Sequence, residues 1–237
     1  MRFEQAMRTH VGSRRKNNED AFLARPEVGL WAIADGMGGH DAGDVASATV
    51  AKKLDAAAPG ADLPAREKAA RAAIEDANRA LWDMARGSAR TIGSTVVALV
   101  TAGERFCCLW AGDSRAYRLR DGTLRQLTRD HSLVQELVDT GDLAAEEAAS
   151  HPNSNIITRA VGSAPRLELD RVDGDLRSGD VILLASDGLT RLMRDDELAS
   201  AASANLEALA DQWVMTALAR GAPDNLTFIL LRAGAES

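Results

Sequence analysis

The feature that most constrains the fold of this 237-residue chain is a series of short apolar runs separated by turn-forming residues. Several runs are apolar at consecutive positions, which is typical of strands covered on both faces. Gly103-Glu104, Asp113-Ser114 and Asp121-Gly122 each separate two such runs as a hairpin turn would, so we expect an antiparallel meander over residues 95–127. This pattern disfavours a doubly wound parallel sheet. The predicted strands are residues 3–9, 21–24, 30–34, 95–101, 106–111, 116–120, 181–185 and 226–232.

Three long segments between these runs have the periodicity of amphipathic helices. Residues 41–57 begin at Asp41, a residue type that caps helix N-termini. Residues 65–86 carry an apolar stripe that includes Met84, and residues 205–220 carry another; we interpret both stripes as core faces. Antiparallel strands combined with such helices indicate packed sheets with helices outside them.

The overall composition limits the classes of function. A hydrophobic fraction of 46% and a charged fraction of 27% are ordinary for a soluble globular protein. No Pro-, Gly- or Ser-rich linker divides the chain, so we expect one domain over residues 1–237. A formal net charge of −7 disfavours a general nucleic-acid-binding protein, although the local run Arg14-Arg15-Lys16 could hold a phosphate group.

The cysteines and the absence of long apolar segments indicate the cellular compartment. Cys107 and Cys108 are neighbours in a predicted strand, so their side chains should point to opposite faces rather than form a disulfide framework. No segment resembles a signal peptide, and no run of about 18 apolar residues occurs. We therefore expect a cytoplasmic protein with no membrane anchor.

Four aspartates stand at the ends of predicted strands. Asp35, Asp113 and Asp187 each follow an apolar run, and Asp224 precedes the last one. A single Asp-Gly pair is more typical of a turn than of a binding site. If the strands lie in neighbouring sheets, however, the carboxylates converge, and two carboxylates about 4 Å apart repel by roughly 4 kcal/mol at an effective dielectric constant of about 20. A bound cation is the simplest way to stabilise that arrangement.

A glycine-rich turn, Asp35-Gly36-Met37-Gly38-Gly39-His40, leads into the first predicted helix. It lacks the third glycine of the dinucleotide-binding pattern, because Asp41 stands there, and it lacks the Lys-Ser or Lys-Thr of a P-loop. We interpret Asp35 as a metal ligand whose neighbour Gly36 lets the backbone carbonyl approach closely.

Residues 129–160, here called the lid segment, differ in pattern from their surroundings. Ser132 and Gln135 have the spacing of a helix capping box, and residues 144–149 could form a second short helix. His151-Pro152-Asn153-Ser154-Asn155 then interrupts the helical pattern. An insertion of this kind is either a lid over a site or a surface excursion without function.

Together these motifs resemble the metal-dependent serine/threonine protein phosphatases of the type 2C class, in their compact bacterial stand-alone form. The resemblance extends over about residues 9–231, and the motifs occur as a full set in order, which makes it specific. The segments that carry it are Gly12…Arg15…Asn18-Glu19-Asp20-Ala21, Ala34-Asp35-Gly36-Met37-Gly38-Gly39-His40, Gly93-Ser94-Thr95, Ala111-Gly112-Asp113-Ser114-Arg115-Ala116-Tyr117, Leu127-Thr128-Arg129-Asp130-His131-Ser132, Ile157-Thr158-Arg159-Ala160-Val161-Gly162, Leu184-Ala185-Ser186-Asp187-Gly188-Leu189 and Asp224-Asn225-Leu226-Thr227.

The resemblance implies an α+β fold with a central sandwich of two antiparallel β-sheets flanked by α-helices, in four layers (α-β-β-α). A site for two Mn²⁺ or Mg²⁺ ions would lie at one end, since ligands that are all oxygen atoms suit these ions better than Zn²⁺. Asp35 would bridge both ions, Gly36 would supply its carbonyl oxygen, and Asp187 and Asp224 would complete one ion. Two ions about 3.5 to 4 Å apart would lower the pKa of a bridging water, which would hydrolyse the phosphoester directly.

Further residues receive roles from the same resemblance. Asp20, with Glu19 beside it, would bind or orient water on the metal ions, and Arg15 would bind the phosphate group. Asp113 would hold a third ion together with the Asp187 carboxylate, with Asn155 from the lid segment as a weaker candidate.

One departure from the family concerns the general acid. Many eukaryotic members have a histidine directly after the metal-binding Asp-Gly, whereas this chain has Met37. His40 is a candidate general acid, and a structural role for it is the alternative. His10, His131 and His151 are interpreted as structural.

The resemblance implies that the chain hydrolyses phosphoserine and phosphothreonine in proteins, as a monomer that opposes a bacterial Ser/Thr kinase. A link to type VI secretion is a further expectation, and neither nucleic acid nor membrane is expected as a partner. A pseudo-phosphatase that binds phosphoproteins without turnover is one alternative, which the presence of Asp20, Asp35, Asp187 and Asp224 disfavours. A metal-dependent phosphodiesterase or nuclease is another, but it would need a basic substrate track, which the net charge of −7 does not supply.

Overall fold

A computed structural model describes residues 1–38, 42–58, 60–86, 92–148, 150–202 and 205–234 of the chain. Within these ranges, eleven strands and seven α-helices form, and 3-10 helices cover Pro26–Val28 and Ala199–Ala202. The strands are β1 Arg2–His10, β2 Asp20–Arg25, β3 Leu30–Gly38, β4 Ile92–Ser94, β5 Val96–Ala102, β6 Arg105–Ala111, β7 Arg115–Arg120, β8 Thr123–Gln126, β9 Asp170–Asp175, β10 Val181–Ala185 and β11 Leu226–Gly234. The helices are α1 Ala42–Asp55, α2 Leu63–Ala85, α3 Leu133–Thr140, α4 Ala145–Ala148, α5 Asp187–Thr190, α6 Asp195–Leu198 and α7 Leu206–Ala219.

The strands form two antiparallel sheets that pack face to face. The first sheet has the order β1-β11-β10-β7-β8, and the second has the order β2-β3-β5-β6-β9 with β4 beside β3. Trp31 and Ile182 belong to the apolar layer between the sheets. Helix α7 covers the outer face of the first sheet through Trp213, while α1 and α2 cover the second sheet through Val50 and Ile74. The predicted four-layer sandwich is therefore confirmed.

The apolar runs alternate between these layers as a pleated strand requires. In β6, Cys107 faces the helices and Cys108 faces the other sheet, as predicted, and both thiols are free and buried. Burial raises the pKa of the Cys107 thiol to about 11. The cysteines thus serve as small core side chains.

The predicted helices form with side-chain caps at several of their ends. The side chain of Asp62 accepts a hydrogen bond from the Ala65 amide at the start of α2, and Asn205 caps α7 in the same way. The interpretation of Met84 as a core residue is wrong, because its side chain on α2 is 52% exposed. The proposed cap Asp41 lies outside the described residues.

The predicted meander over residues 95–127 is wrong at its centre. Strand β6 pairs with β5 and β9, whereas β7 pairs with β8 and β10, so the chain passes from one sheet to the other at Asp113-Ser114. Gly112 makes this crossing with a φ of 109°, and a Cβ there would lie 2.6 Å from Cγ2 of Thr95. The hydroxyl groups of Thr95 and Ser114 are hydrogen bonded at 2.7 Å across the crossing.

No helix in the described part of the chain is both long and apolar enough to cross a membrane.

Candidate metal centre

The strand register brings the predicted aspartates to one end of the sandwich. Asp20 starts β2 and pairs directly with Asp35 on β3, so these two carboxylates lie on adjacent strands. Asp187 is the first residue of α5, directly beyond β10, and Asp224 lies just before β11, which pairs with β10. Asp113 lies at the crossing between the sheets.

The carboxylates of this group act on one another's pKa values. Burial raises the pKa of Asp35 well above its ordinary value of 3.8. The neighbouring negative charges raise it further, in the order Asp20, Asp187, Asp113 and Asp224. Burial also raises the pKa of Asp20 to about 7 and that of Asp113 to about 7. A group of carboxylates that repel each other in a buried site is a site for a cation.

Two oxygen atoms of this group lack a hydrogen-bond partner. Among the described residues, the buried side-chain atoms without one include Oδ1 of Asp20 and Oδ1 of Asp113. The other oxygen of Asp20, Oδ2, accepts a hydrogen bond from the Ser186 hydroxyl at 2.9 Å. Leaving a buried carboxylate oxygen unpaired costs free energy that a cation would recover.

Arginines hold two of the other carboxylates. Nη2 of Arg15 lies 2.7 Å from Oδ2 of Asp224, and Nε of Arg191 lies 3.0 Å from Oδ2 of Asp187. Within the described ranges, no three side chains of His, Cys, Asp or Glu are already grouped around one metal position.

Gly36 lies where only a glycine fits. Its amide donates a hydrogen bond to the Glu19 carbonyl at 3.0 Å. A Cβ at Gly36 would lie 1.9 Å from the carbonyl oxygen of Gly43 at the start of α1. The close contact of β3 with α1 thus requires glycine, while the predicted role of the Gly36 carbonyl as a metal ligand stays a prediction.

An open cleft of about 250 Å³, here called the acidic cleft, gives solvent access to the centre. The lining includes most of the predicted site residues. Asp20 is not among the lining residues, and His40 lies outside the described residues. The predicted residues that line it are Arg15, Glu19, Asp35, Gly36, Asp113, Asn155, Asp187 and Asp224.

Hydrogen bonds fix the Asp35 backbone. Its amide donates to Oγ1 of Thr95 at 3.0 Å, and its carbonyl accepts hydrogen bonds from the Thr95 amide at 2.8 Å and the Ser94 hydroxyl at 3.0 Å. These contacts explain physically why the motif Gly93-Ser94-Thr95 accompanies Asp35. They hold one carboxylate of the centre on a rigid strand.

The sequence did not reveal that Asn225 organises the N-terminal side of the centre. Its Nδ2 donates to the carbonyls of Val11 at 2.8 Å and Asn17 at 2.9 Å, and its Oδ1 accepts from the Glu19 amide at 2.8 Å. Its position beside Asp224 was the available signal. Asn225 thus links the N-terminal loop, which carries Arg14-Arg15-Lys16, to strand β11.

Arg191 is a second residue of the centre that has no role predicted from the sequence. Its spacing of four residues from Asp187 on α5 was the only signal, because helical residues four apart lie on one face. Besides Asp187, its guanidinium reaches Oδ2 of Asp113 at 3.5 Å and donates to the Ser154 carbonyl of the lid segment at 3.1 Å.

His131 supports the Asp113 crossing from the lid side, which agrees with its interpretation as structural. Its Nδ1 accepts a hydrogen bond from the Gly112 amide at 3.1 Å, and its ring stacks on Trp110 with the ring centroids 6.2 Å apart. Burial lowers the pKa of His131, and the nearby charge of Arg159 lowers it further. Asp170 acts in the opposite direction and raises this pKa, but the hydrogen bond from the Gly112 amide fits the neutral ring, because an Nδ1 that accepts carries no proton.

The lid segment borders the centre, and its role as a lid stays a prediction. It contains α3 and α4, and its isolated bridge from Ser132 to Ile157 closes the excursion. A second cavity of about 260 Å³, here called the lid cavity, lies beside the acidic cleft. Its lining includes Asp113, Gln135, Ala145, Ala148, Asp187 and Arg191.

Known proteins have a similar fold and a related sequence. A family profile described as protein phosphatase 2C matches residues 9–227. The serine/threonine phosphatase stp of Listeria welshimeri is 37% identical over 235 residues, which cover 94% of this chain and 93% of that protein. The solved structure of PppA, described as a key regulatory component of T6SS in Pseudomonas aeruginosa, has a TM-score of 0.91 at 43% identity and covers 98% of both chains. The catalytic domain of the phosphatase PstP in complex with two manganese ions has a TM-score of 0.87 at 36% identity, with 98% of this chain and 99% of that chain covered.

Proposed function

The chain belongs to the protein phosphatase 2C family and is a metal-dependent serine/threonine protein phosphatase, and we propose that its reaction takes place in the acidic cleft. The observation that carries this proposal is the mutual repulsion of the carboxylates around Asp35, which raises the pKa of that group beyond the effect of burial. Such a centre needs a cation, and the opening of the cleft to solvent supports access by a phosphorylated side chain.

The donor set fits Mn²⁺ or Mg²⁺. The side chains around Asp35 offer carboxylate oxygens, which these hard cations prefer. Cations would compensate the unpaired oxygen Oδ1 of Asp20 and the repelling charges of Asp187 and Asp224. We assign the two ions to Asp35, the Gly36 carbonyl, Asp187 and Asp224, with Asp20 beside them.

When bound, the two cations supply an ionised water as nucleophile at neutral pH and neutralise charge on the phosphoryl group. Arg15 binds two phosphoryl oxygens through its planar guanidinium. Its side chain is half exposed at the cleft, and its contact with Asp224 aims it at the centre. Asn225 fixes the loop that carries Arg15 by binding the carbonyls on either side of it, those of Val11 and Asn17.

The leaving serine or threonine oxygen must gain a proton. Met37 cannot supply one, so His40 remains the candidate general acid on this chain. A water molecule in the acidic cleft is the alternative donor. The role of His40 stays a prediction, because His40 lies outside the described residues.

The substrates are phosphorylated proteins. We propose that the cognate kinase is a Ser/Thr kinase of the same bacterial cell, and that the phosphatase acts as a monomer in the cytoplasm. The similarity to PppA supports a role in regulating type VI secretion, because that neighbour is described as a regulatory component of T6SS.

The test is hydrolysis of p-nitrophenyl phosphate and of a phosphothreonine peptide, with Mn²⁺, with Mg²⁺ and with chelator. We expect turnover that requires the metal. Changing an outer-sphere partner of a metal site already costs about 10- to 100-fold, so the ligand substitution Asp187→Asn should lower kcat/KM by at least about 100-fold.

The matched control is Asp211→Asn, which removes an exposed carboxylate on α7 that pairs with Arg8. This variant should keep wild-type kcat/KM. Folded wild-type protein that binds metal and phosphopeptide but turns over neither substrate would contradict the proposal and favour a pseudo-phosphatase.

A further inference from the structure

Arg191 stands between the two cavities of the active-site end. It is the C-cap residue of α5, and it lines both the acidic cleft and the lid cavity. Its Nε lies 3.0 Å from Oδ2 of Asp187, and its Nη2 lies 3.5 Å from Oδ2 of Asp113. One guanidinium therefore bridges a carboxylate at the crossing between the sheets and a carboxylate at the start of α5.

The two bridged carboxylates need positive charge. Asp113 is 5% exposed, and its Oδ1 has no hydrogen-bond partner among the described residues. The pair Asp113–Asp187 thus has the charge and the unpaired oxygen expected of a cation site, and a guanidinium occupies one side of it.

We propose that Arg191 is the built-in counter-cation of the Asp113–Asp187 pair and that it opposes binding of a third divalent cation there. This inference rests on the proposed function, because it assumes the two-ion centre at Asp35. Arginine suits the role, since its guanidinium stays charged at every physiological pH and binds carboxylates in a fixed planar geometry. A third ion can bind strongly only when the guanidinium moves away.

The exposed position of Arg191 means that its guanidinium competes with a third ion for the carboxylate pair and does not block that ion permanently. The side chain is 41% exposed, so it has room to turn toward solvent. Its bond to the Ser154 carbonyl at 3.1 Å holds it in place and joins the lid segment to the carboxylate pair. A third ion would therefore have to break a contact with the lid as well as two ion pairs.

The test is a Mn²⁺ titration followed by the electron paramagnetic resonance signal of free Mn²⁺, which counts bound ions independently of turnover. Wild type and Arg191→Lys, which keeps the positive charge, should bind two ions tightly and a third weakly. An opposite charge within about 4–6 Å changes the proton affinity of a carboxylate by roughly tenfold or more, so Arg191→Gln should bind the third ion at least about tenfold more tightly.

Two further variants test whether the gain in third-ion affinity is specific to Arg191 and depends on Asp113. Arg194→Gln removes a neighbouring exposed arginine that pairs with Asp196 and should match wild type. Asp113→Asn combined with Arg191→Gln should lose the gained ion and keep the first two. Far-UV circular dichroism checks that each variant is folded.

Equal affinity for the third ion in wild type and Arg191→Gln would overturn the inference. The same holds if Arg194→Gln gained the ion as strongly as Arg191→Gln. Failure of the two-ion centre on which the inference rests would look different, because then no variant would show the two tight ions. Two tight ions without turnover of p-nitrophenyl phosphate or phosphopeptide would contradict the proposed function and leave this inference intact.

Discussion

At the residue scale, the aspartates of this centre differ in what compensates their charge. Asp224 pairs with Arg15, and Arg191 pairs with Asp187 and more distantly with Asp113. Asp20 accepts a hydrogen bond from the Ser186 hydroxyl, and Asp20 and Asp113 each keep one oxygen without a hydrogen-bond partner among the described residues. Buried carboxylates ionise only where another group supplies positive charge or hydrogen bonds. The least compensated side chains are thus those whose ionised form depends most on a bound cation.

His131 gives a pH-dependent contribution to stability. Its pKa is lowered in the folded protein, mainly by burial, so the unfolded state binds a proton more readily. The free energy of unfolding should therefore fall as the pH drops below about 6.5, by about 1.4 kcal/mol for each unit of pKa difference, until the folded protein is protonated as well. Above that window the contribution is constant.

The substitution His131→Asn tests this, because an asparagine amide can keep the acceptor for the Gly112 amide but does not titrate. Urea unfolding at pH 7.5 and pH 5.5 should show a smaller loss of stability at low pH for the variant than for wild type. The buried aspartates have raised pKa values and change stability in the opposite direction, but they are present in both proteins. Equal losses in the two proteins would contradict the prediction.

At the scale of elements, the strands that carry apolar runs were predictable and the charged or crossing segments were not. Strand β9, Asp170–Asp175, is an edge strand of mostly charged residues and has no apolar alternation from which to recognise it. Asp113-Ser114 has turn-forming residues whether the chain folds back or crosses to the other sheet. Local sequence cannot distinguish these outcomes, because the choice depends on β9 and β10 as pairing partners from distant sequence.

The site was predictable to a similar extent. Aspartates at strand ends carry a local signal, and so does a glycine beside one of them. Arg191 and Asn225 act through contacts with the lid segment and the N-terminal loop, and such contacts have no local pattern in the sequence.

The lid segment should affect protein substrates more than small ones. Residues 142–150 include α4, whose Ala145 and Ala148 line the lid cavity, while the proposed metal ligands come from other elements. Deleting residues 142–150 should therefore change the ranking of phosphopeptides by kcat/KM while turnover of p-nitrophenyl phosphate changes less. Equal losses on both kinds of substrate would show that the deletion damages the centre itself.

At the scale of the whole molecule, the site lies where segments from the two ends of the described chain pack together. Strand β1 pairs with β11 along its length, from Arg2 opposite Gly234 to His10 opposite Leu226. Asn225 adds three hydrogen bonds from the start of β11 to the N-terminal loop. The geometry of the metal centre therefore depends on contacts between residues about as far apart in sequence as the chain permits.

The substitution Asn225→Ala should weaken both stability and metal binding. Loss of three hydrogen bonds at about 1 kcal/mol each lowers the free energy of unfolding by about 3 kcal/mol. The loop that leads to Asp20 also loses its anchor, so Mn²⁺ affinity should fall. Urea unfolding and Mn²⁺ titration measure the two effects.

Asn205→Ala is the matched control, because it removes the cap of α7 and should cost about 1 kcal/mol without changing Mn²⁺ affinity. If both variants left Mn²⁺ affinity unchanged, Asn225 would be a stabilising residue only.

The pairing of β1 with β11 also has a consequence for synthesis on the ribosome. The first sheet cannot be completed, and Asp224 cannot join the carboxylates near Asp20, until residues 224–234 have left the exit tunnel. If Asp224 is a ligand as proposed, a nascent chain that contains every other proposed ligand should be inactive, so we expect dephosphorylation to begin only after this region has been translated.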